Sequence, residues 1–376
     1  MRVDAGRRSG AIRLGIDGRE LVGGLRTGIG RYLTEVIRAA VEDEWECVLY
    51  TDRAVRLDPA LGPVTGTVLR HRWVPWWDQV GLPRQLARDR ISVFLSPYYK
   101  IPVIAPCPAV ATVHDLFFIG YLGGWRPVHD TVVSLAARVY TRRAAAIITD
   151  SESSRQTIIR MLGVRAERVF AIPLAVGPAF RPTPLTDAVR AQYGIRRPYV
   201  LCVGNFRPHK NLPRLLRAFA ALPPSLGAYY LVLAGDGGDE RSRLLALAEE
   251  LGIAERVAFP GHVDEAHLAG LYSQSALFVL PSLEEGFGLP ALEAMACGAP
   301  VVASNRGAIP EVVGAAAALV PADDHAAMAD AMRRVLSAAD VREDLKRRGL
   351  ERARDFSPAR TSRRVLALLC EVSERG

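Results

Sequence analysis

The chain has 376 residues, 49% of them apolar and 23% charged, with a formal net charge of +8. That profile fits a soluble globular protein with room for two ordinary domains and excludes a disordered chain. No apolar run reaches the roughly 18 residues of a membrane helix, and the basic start Met1 to Gly10 has no apolar core behind it, so a cytoplasmic location is expected.

Residues 11–17 alternate in polarity and predict a first strand. A loop with Gly23, Gly24, Gly28 and Gly30 follows, and a helix then carries Leu33, Val36, Ile37 and Ala40 at helical spacing. The loop is too long, and lacks the third glycine, for a dinucleotide fingerprint; it either passes a ligand close to backbone or merely connects. Strands are predicted at 47–51, 67–74, 92–96, 109–113 and 145–149. Trp73, Trp76 and Trp77 beside Arg70, Arg72 and Arg84 are either an interfacial belt for a lipid-linked acceptor or ordinary packing. His114 and Asp115 close a strand, at the edge where parallel sheets bind ligands, so His114 is either structural or functional. A helix at 128–142 and a cap at Asp150–Ser153 complete the first half.

Residues 172–184 hold four prolines and read as a linker. Strands then recur at 199–203, 229–234, 257–259, 277–280, 300–303 and 318–320, with helices between them. Such alternation makes a doubly wound parallel sheet, so the α/β chain has two in succession. Three helices finish it, the last over 358–373.

The chain is organised around residues 280–300, LPSLEEGFGLPALEAMACGAP. Strand, glycine loop (Gly286, Phe287, Gly288, Leu289) and helix start in that order expose backbone amides and the positive end of a helix dipole to an anion. Glu285 and Glu293 frame the loop and suit hydroxyls beside that anion, as in a sugar nucleotide; the alternative is a plain crossover with two solvated glutamates. After the 199–203 strand, Gly204 leads to Arg207 and Lys210, two cations able to stabilise a diphosphate. Lysine is scarce, three against 45 arginines, which gives Lys210 added weight. Breaking a sugar–phosphate bond requires a metal or fixed cations at the leaving group; no Asp-x-Asp clamp occurs, so no metal is expected. His114 or Asp115 is available as a general base should displacement be direct.

Through Ile172 there are 24 basic against 17 acidic residues, and 24 against 23 in the remainder. A basic first half without a nucleic-acid motif suggests an anionic membrane or phosphorylated lipid rather than DNA or RNA. Cys47, Cys107, Cys202, Cys297 and Cys370 lack metal or redox spacing, and buried thiols are expected.

These features resemble glycosyltransferase family 4. The segments that carry the resemblance are TGIGRY at 27–32, His114-Asp115, Arg207 with Lys210, and the E-x7-E pair Glu285 and Glu293 inside EGFGLPALEAMACGAPVV, continued by Ser304-Asn305 and Pro310-Glu311. The resemblance implies the GT-B fold, two Rossmann-like doubly wound domains facing across a cleft, with a retaining, metal-independent transfer and no cofactor. Its implied domains are an acceptor-binding domain at 1–172, a linker at 173–184 and a sugar-nucleotide domain at 185–357, with the 358–376 helix packing back on the first. It assigns donor sugar hydroxyls to Glu285, the ribose to Glu293, the diphosphate to Arg207 and Lys210, and a place near the reacting carbon to His114. Gly28, Ile29 and Gly30 close over the diphosphate, and Gly204, Val263, Gly286, Phe287, Gly288 and Leu289 complete the donor site. The branch most similar is mannosyltransferase B of O-antigen and related polysaccharides, which implies GDP-mannose as donor, a glycan or lipid-linked acceptor, and an enzyme peripheral to the inner membrane face. Pro208-His209 between the cations departs from the pattern, in a segment that varies across the family, and leaves the phosphate contacts open. A sugar-nucleotide epimerase of the same shape, or a non-catalytic sugar-nucleotide-binding partner, is the rival expectation.

Overall fold

The computed structural model describes residues 12–23, 28–56, 58–70, 73–116 and 127–375. It resolves into two compact units, Met1–Ala175 with Pro358–Gly376, and Val176–Ser357.

In the first unit the strands are β1 (Arg13–Asp17), β2 (Glu46–Thr51), β3 (Val64–Val68), β4 (Val93–Ser96), β5 (Ala109–Thr112), β6 (Ala146–Thr149) and β7 (Val169–Ala171). All pair in parallel, in the order β3-β2-β1-β4-β5-β6-β7. Strands such as VFLS and AIIT are buried at every residue because helices cover both faces of a parallel sheet. Three helices matter below: α1 (Gly28–Glu42), α2 (Pro127–Arg143) and α3 (Glu152–Leu162). Helix α1 buries Leu33, Val36, Ile37 and Ala40 against β1 and β2. The short β7 was not anticipated, since three residues carry too little pattern to register as a strand. The 67–74 strand expected from sequence ends at Val68, and Val74–Trp76 begins a short helical turn, where Pro75 suits the helix start.

In the second unit β8 (Tyr199–Val203), β9 (Tyr230–Ala234), β10 (Val257–Gly261), β11 (Leu277–Leu280), β12 (Val301–Ser304) and β13 (Ala318–Val320) run in the order β10-β9-β8-β11-β12-β13, all parallel. Helices α4 (Leu212–Ala220) and α5 (Leu289–Ala296) follow β8 and β11. The winding reverses between β8 and β11, and between β1 and β4 in the first sheet. Open parallel sheets bind ligands beyond the carboxyl ends of the strands at such reversals.

The stretch read as a linker is packed in part. Phe180 is buried with its ring 6.1 Å from Tyr272, and Thr183 N donates to Ser273 Oγ at 3.0 Å. The last helix, α6 (Pro358–Arg375), lies in the first unit. It shares a core with α1 through Val365, Leu366, Leu369 and Val372, and Thr361 Oγ1 donates to Pro173 O at 2.8 Å. Among the described residues no helix is long and apolar enough to cross a membrane. Leu369 is fully buried in that shared core, so Leu369→Ala is expected to destabilise the first unit by about 3 kcal/mol, read by urea unfolding; a change below the error of the fit would contradict this packing.

Candidate functional site

The second sheet's reversal places the loops after β8 and β11 side by side. On the β8 side, Gly204 has a φ of +151° and leads to Arg207, which opens a single helical turn, Pro208–Lys210. Asn211, left-handed at φ +56°, stops that turn and starts α4. Its Nδ2 donates to Pro281 O at 3.0 Å and Ala322 O at 2.8 Å, and Leu283 N donates to His209 O at 2.7 Å. The two loops are thereby held in one register.

Across that register Lys210 Nζ donates to Glu285 Oε1 at 2.6 Å, and Ser282 Oγ donates to the same oxygen at 2.6 Å. The lysine and glutamate side chains are only 14% and 9% exposed. Two donors on one oxygen fix the carboxylate, while Oε2 has no hydrogen-bond partner among the described residues and stays an open acceptor. The Glu285 backbone is fixed as well. Ala308 N donates to Glu285 O at 3.1 Å, and a Cβ on Gly307, at φ +59°, would lie 2.7 Å from that carbonyl. Only glycine permits so close a pass.

Gly288, at φ +93°, turns the chain into α5. Ala291 and Leu292 donate back to Gly288 O, so the amides ahead of them stand at the positive end of the helix, the arrangement that binds phosphate. Arg207 is exposed, and its guanidinium has no partner among the described residues. A narrow pocket is lined by Gly204, Asn205, Phe206, Lys210, Pro281 and Ser282. Gly286 lies in the loop after β11 and Leu289 opens α5, both partly exposed.

Other expected residues are placed less directly. Phe287 is buried with its ring 5.8 Å from Phe356, so its side chain packs rather than faces a ligand. Glu293 is not a surface residue: it is 5% exposed and accepts from Tyr272 Oη at 3.0 Å, which with burial raises the Tyr272 pKa well above its ordinary value. Val263 is buried just beyond β10. Gly28, Ile29 and Gly30 are not a loop but the first turn of α1; Gly24 and Thr27 lie outside the described residues. Among the described residues, no cluster of three His, Cys, Asp or Glu side chains gathers as for a metal ion. Cys47, Cys202 and Cys297 are buried and Cys107 and Cys370 partly so, all five as free thiols.

The first unit carries its polar residues at the carboxyl edge of its own sheet. Asp17, ending β1, is 1% exposed; Arg19 grips it through Nε at 3.0 Å and Nη2 at 2.6 Å, reaches Asp78 at 2.9 Å, and lies 3.8 Å over the Trp77 ring. Trp77 is thus core, and of the expected tryptophan belt only Trp73 is exposed. Tyr98 Oη donates to Glu20, joining the ends of β1 and β4.

His114 follows β5, and its partner is Asp150, not the adjacent Asp115. Nδ1 lies 3.0 and 2.9 Å from the two Asp150 oxygens, and Tyr32 meets the ring edge-on at 5.8 Å. Within the cap expected at Asp150–Ser153 the capping residue is Ser151, whose side chain accepts from Ser154 N. A carboxylate 36 residues away in sequence, at the end of the neighbouring strand, leaves no local signal. His114 Nε2 is buried without a hydrogen-bond partner among the described residues. Burial works against charge on the ring, but the Asp150 carboxylate, with Asp115 and Glu20, lifts His114 above its ordinary value; burial likewise raises Asp150.

A raised histidine pKa adds stability that is complete below the unfolded value of about 6.5 and is lost as pH climbs through the native value. Asp150→Asn is therefore expected to lower the His114 titration midpoint, followed by imidazole NMR shifts, and to destabilise most at acidic pH. An unmoved midpoint would show that the pair carries no charge coupling.

The family model described as "Glycosyltransferase Family 4" matches residues 26–180, and that described as "Glycosyl transferases group 1" matches 186–352. The chain is 36% identical over 218 residues to the O-antigen chain mannosyltransferase B of Escherichia coli, covering 57% of each protein. It is 31% identical over 318 residues to a D-inositol 3-phosphate glycosyltransferase of Saccharomonospora viridis, covering 80% of this chain and 69% of that one. The chain thus spans little more than half of the first relative and about two thirds of the second. Sucrose-phosphate synthase from Thermosynechococcus elongatus shares the fold with a TM-score of 0.76 at 22% identity, over 97% of this chain and 100% of that one. The two parallel-sheet units are those of the GT-B fold, and the chain belongs to glycosyltransferase family 4.

Proposed function

We propose that the protein transfers mannose from GDP-mannose, with retention and without a metal, to a hydroxyl of a growing surface polysaccharide or lipid-linked glycan. The observation that carries the donor site is the buried Lys210–Glu285 pair, with the exposed Arg207 on the same loop as Lys210 and the start of α5 just after Glu285. The choice of mannose rests on the identity to mannosyltransferase B.

In this reading the bond from the sugar C1 to the diphosphate oxygen breaks, its electron pair leaving with the nucleoside diphosphate. Lys210, Arg207 and the loop amides from Gly286 to Leu289 stabilise that charge in fixed positions. The open Oε2 of Glu285 accepts from sugar hydroxyls, and Glu293 serves the ribose. The acceptor oxygen bonds C1 on the face the diphosphate leaves, and its proton passes to a departing phosphate oxygen. Gly204 and Val263 line the nucleotide, and in the first unit the same reading assigns His114 to the sugar and the first turn of α1 to phosphate. The likeness to the D-inositol 3-phosphate glycosyltransferase supports a second reading, with a phosphorylated cyclitol as acceptor.

Calorimetric titration with GDP-, UDP- and dTDP-sugars is expected to single out GDP-mannose; tight binding of a different donor alone would overturn the choice. Donor incubated without acceptor is expected to give slow hydrolysis, whereas a new sugar nucleotide would indicate an epimerase. Binding without turnover over a broad acceptor panel, inositol phosphate included, would indicate a binding partner only.

Lys210→Ala and Glu285→Ala are each expected to abolish transfer. Lys210→Ala leaves a buried carboxylate on Ser282 alone and is expected to cost about 3 kcal/mol in urea unfolding. Lys210→Ala with Glu285→Gln should cost less than the sum of the single changes; simple additivity would deny the coupling.

A further inference from the structure

Glu293 stands one turn into α5, about 6 Å along the axis from Leu289 and the amides assigned to phosphate. A glutamate side chain has several rotamers to lose, and one only 5% exposed is short of water, so a carboxylate there needs donors to hold it. Tyr272, on the helix Glu265–Gln274, supplies one such donor, its Oη bonding Glu293 Oε2 at 3.0 Å. The tyrosine is itself fully buried and held in place. Phe180 meets its ring edge-on at 6.1 Å and Phe278 at 5.3 Å. The helix that carries it is fastened too. Tyr199 Oη donates to Leu271 O at 2.8 Å, Gln274 Nε2 donates to Leu185 O at 3.0 Å, and a Cβ on Gly270 would lie 2.9 Å from Leu185 Cδ1. Burial, and then the Glu293 carboxylate, raise the phenol well above its ordinary value, so it remains a donor at neutral pH.

We propose, on the reading that Glu293 serves the ribose, that Tyr272 is a positioning residue whose hydroxyl sets the Glu293 carboxylate for the ribose hydroxyls and so makes the site select ribonucleotides. A carboxylate offers about four lone-pair sites, so one bond orients it without exhausting it. Fixing the group before the nucleotide arrives removes the cost of ordering it on binding. A pair of apolar side chains of similar volume would fill this part of the core without burying a charge. A carboxylate kept there instead is accounted for by hydroxyls that it accepts from.

The test is calorimetric titration of the full chain with GDP and UDP and with their 2′,3′-dideoxy counterparts, two bases being used so that the choice of donor does not decide the result. The parent is expected to bind the ribonucleotide of its preferred base on the order of a hundredfold more tightly than the dideoxy form. Tyr272→Phe keeps the ring and its aromatic contacts. It is expected to cut that preference to about tenfold while leaving the dideoxy affinity within about twofold of the parent. Equal weakening of both forms would make Tyr272 merely structural and overturn the proposal, as would an unchanged preference in a variant folded by circular dichroism. Should Tyr272→Phe alone not fold, the comparison moves to Glu293→Gln, which retains an acceptor oxygen without the buried charge. Adding Tyr272→Phe to it is expected to lower the preference about threefold, and no change there would overturn the proposal. Glu293→Ala separates the two claims. If it loses the preference and Tyr272→Phe does not, the ribose reading stands and the role of Tyr272 falls. A preference that survives in Glu293→Ala or is missing from the parent, or no binding of either base, overturns the ribose reading and the proposal together.

Discussion

One ion pair holds the second unit's site together. Lys210 follows β8 and Glu285 follows β11, strands adjacent in the sheet although 75 residues separate the pair in sequence. A lysine near the start of α4 is disfavoured by the helix dipole, and a glutamate with 9% exposure is disfavoured by lost hydration. Each offsets the cost of the other, and Ser282 adds the hydrogen bond that completes the carboxylate on one side only. The result is a fixed cation and a fixed acceptor at one edge of the sheet.

The same logic runs through the first unit with different residues. Asp17, Arg19 and Asp78 form a buried charge network over Trp77, with burial pushing the Asp78 carboxyl up against the pull of Arg19. His114 and Asp150 form a second pair at the ends of β5 and β6. Parallel strands end at one edge, so residues terminating successive strands become neighbours whatever their separation in the chain. Buried charges at such an edge persist only when paired, and the pairing orients them.

The surface shows a different economy. Most exposed ion pairs here are local, three or four residues apart along helices, as in Arg333–Asp330 and Lys346–Glu343, and contribute little to stability. The arginines of α2 depart from that habit, since four of them on or beside it, Arg138, Arg142, Arg143 and Arg160, have no carboxylate partner among the described residues. With three exposed aliphatic side chains among them, Val132, Leu135 and Val139, they make this helix unlike the others among the described residues.

The alternation of apolar runs and amphipathic helices was sufficient to predict both sheets, because strands buried on two faces must be apolar throughout. It missed only β7 and displaced β3, where the runs are short or polar. The family was legible from the motif segments that carry the resemblance, since each is a short local run, and the places of Arg207 and Lys210 after β8 followed from the predicted strand. What tertiary structure decided is the partnership of side chains. That Lys210 meets Glu285, that Asp150 rather than Asp115 holds His114, that Trp77 is core and that α2 turns its aliphatic residues outward all depend on contacts between distant segments. Periodicity specifies which face of an element differs from the other; only packing determines what, if anything, that face is set against.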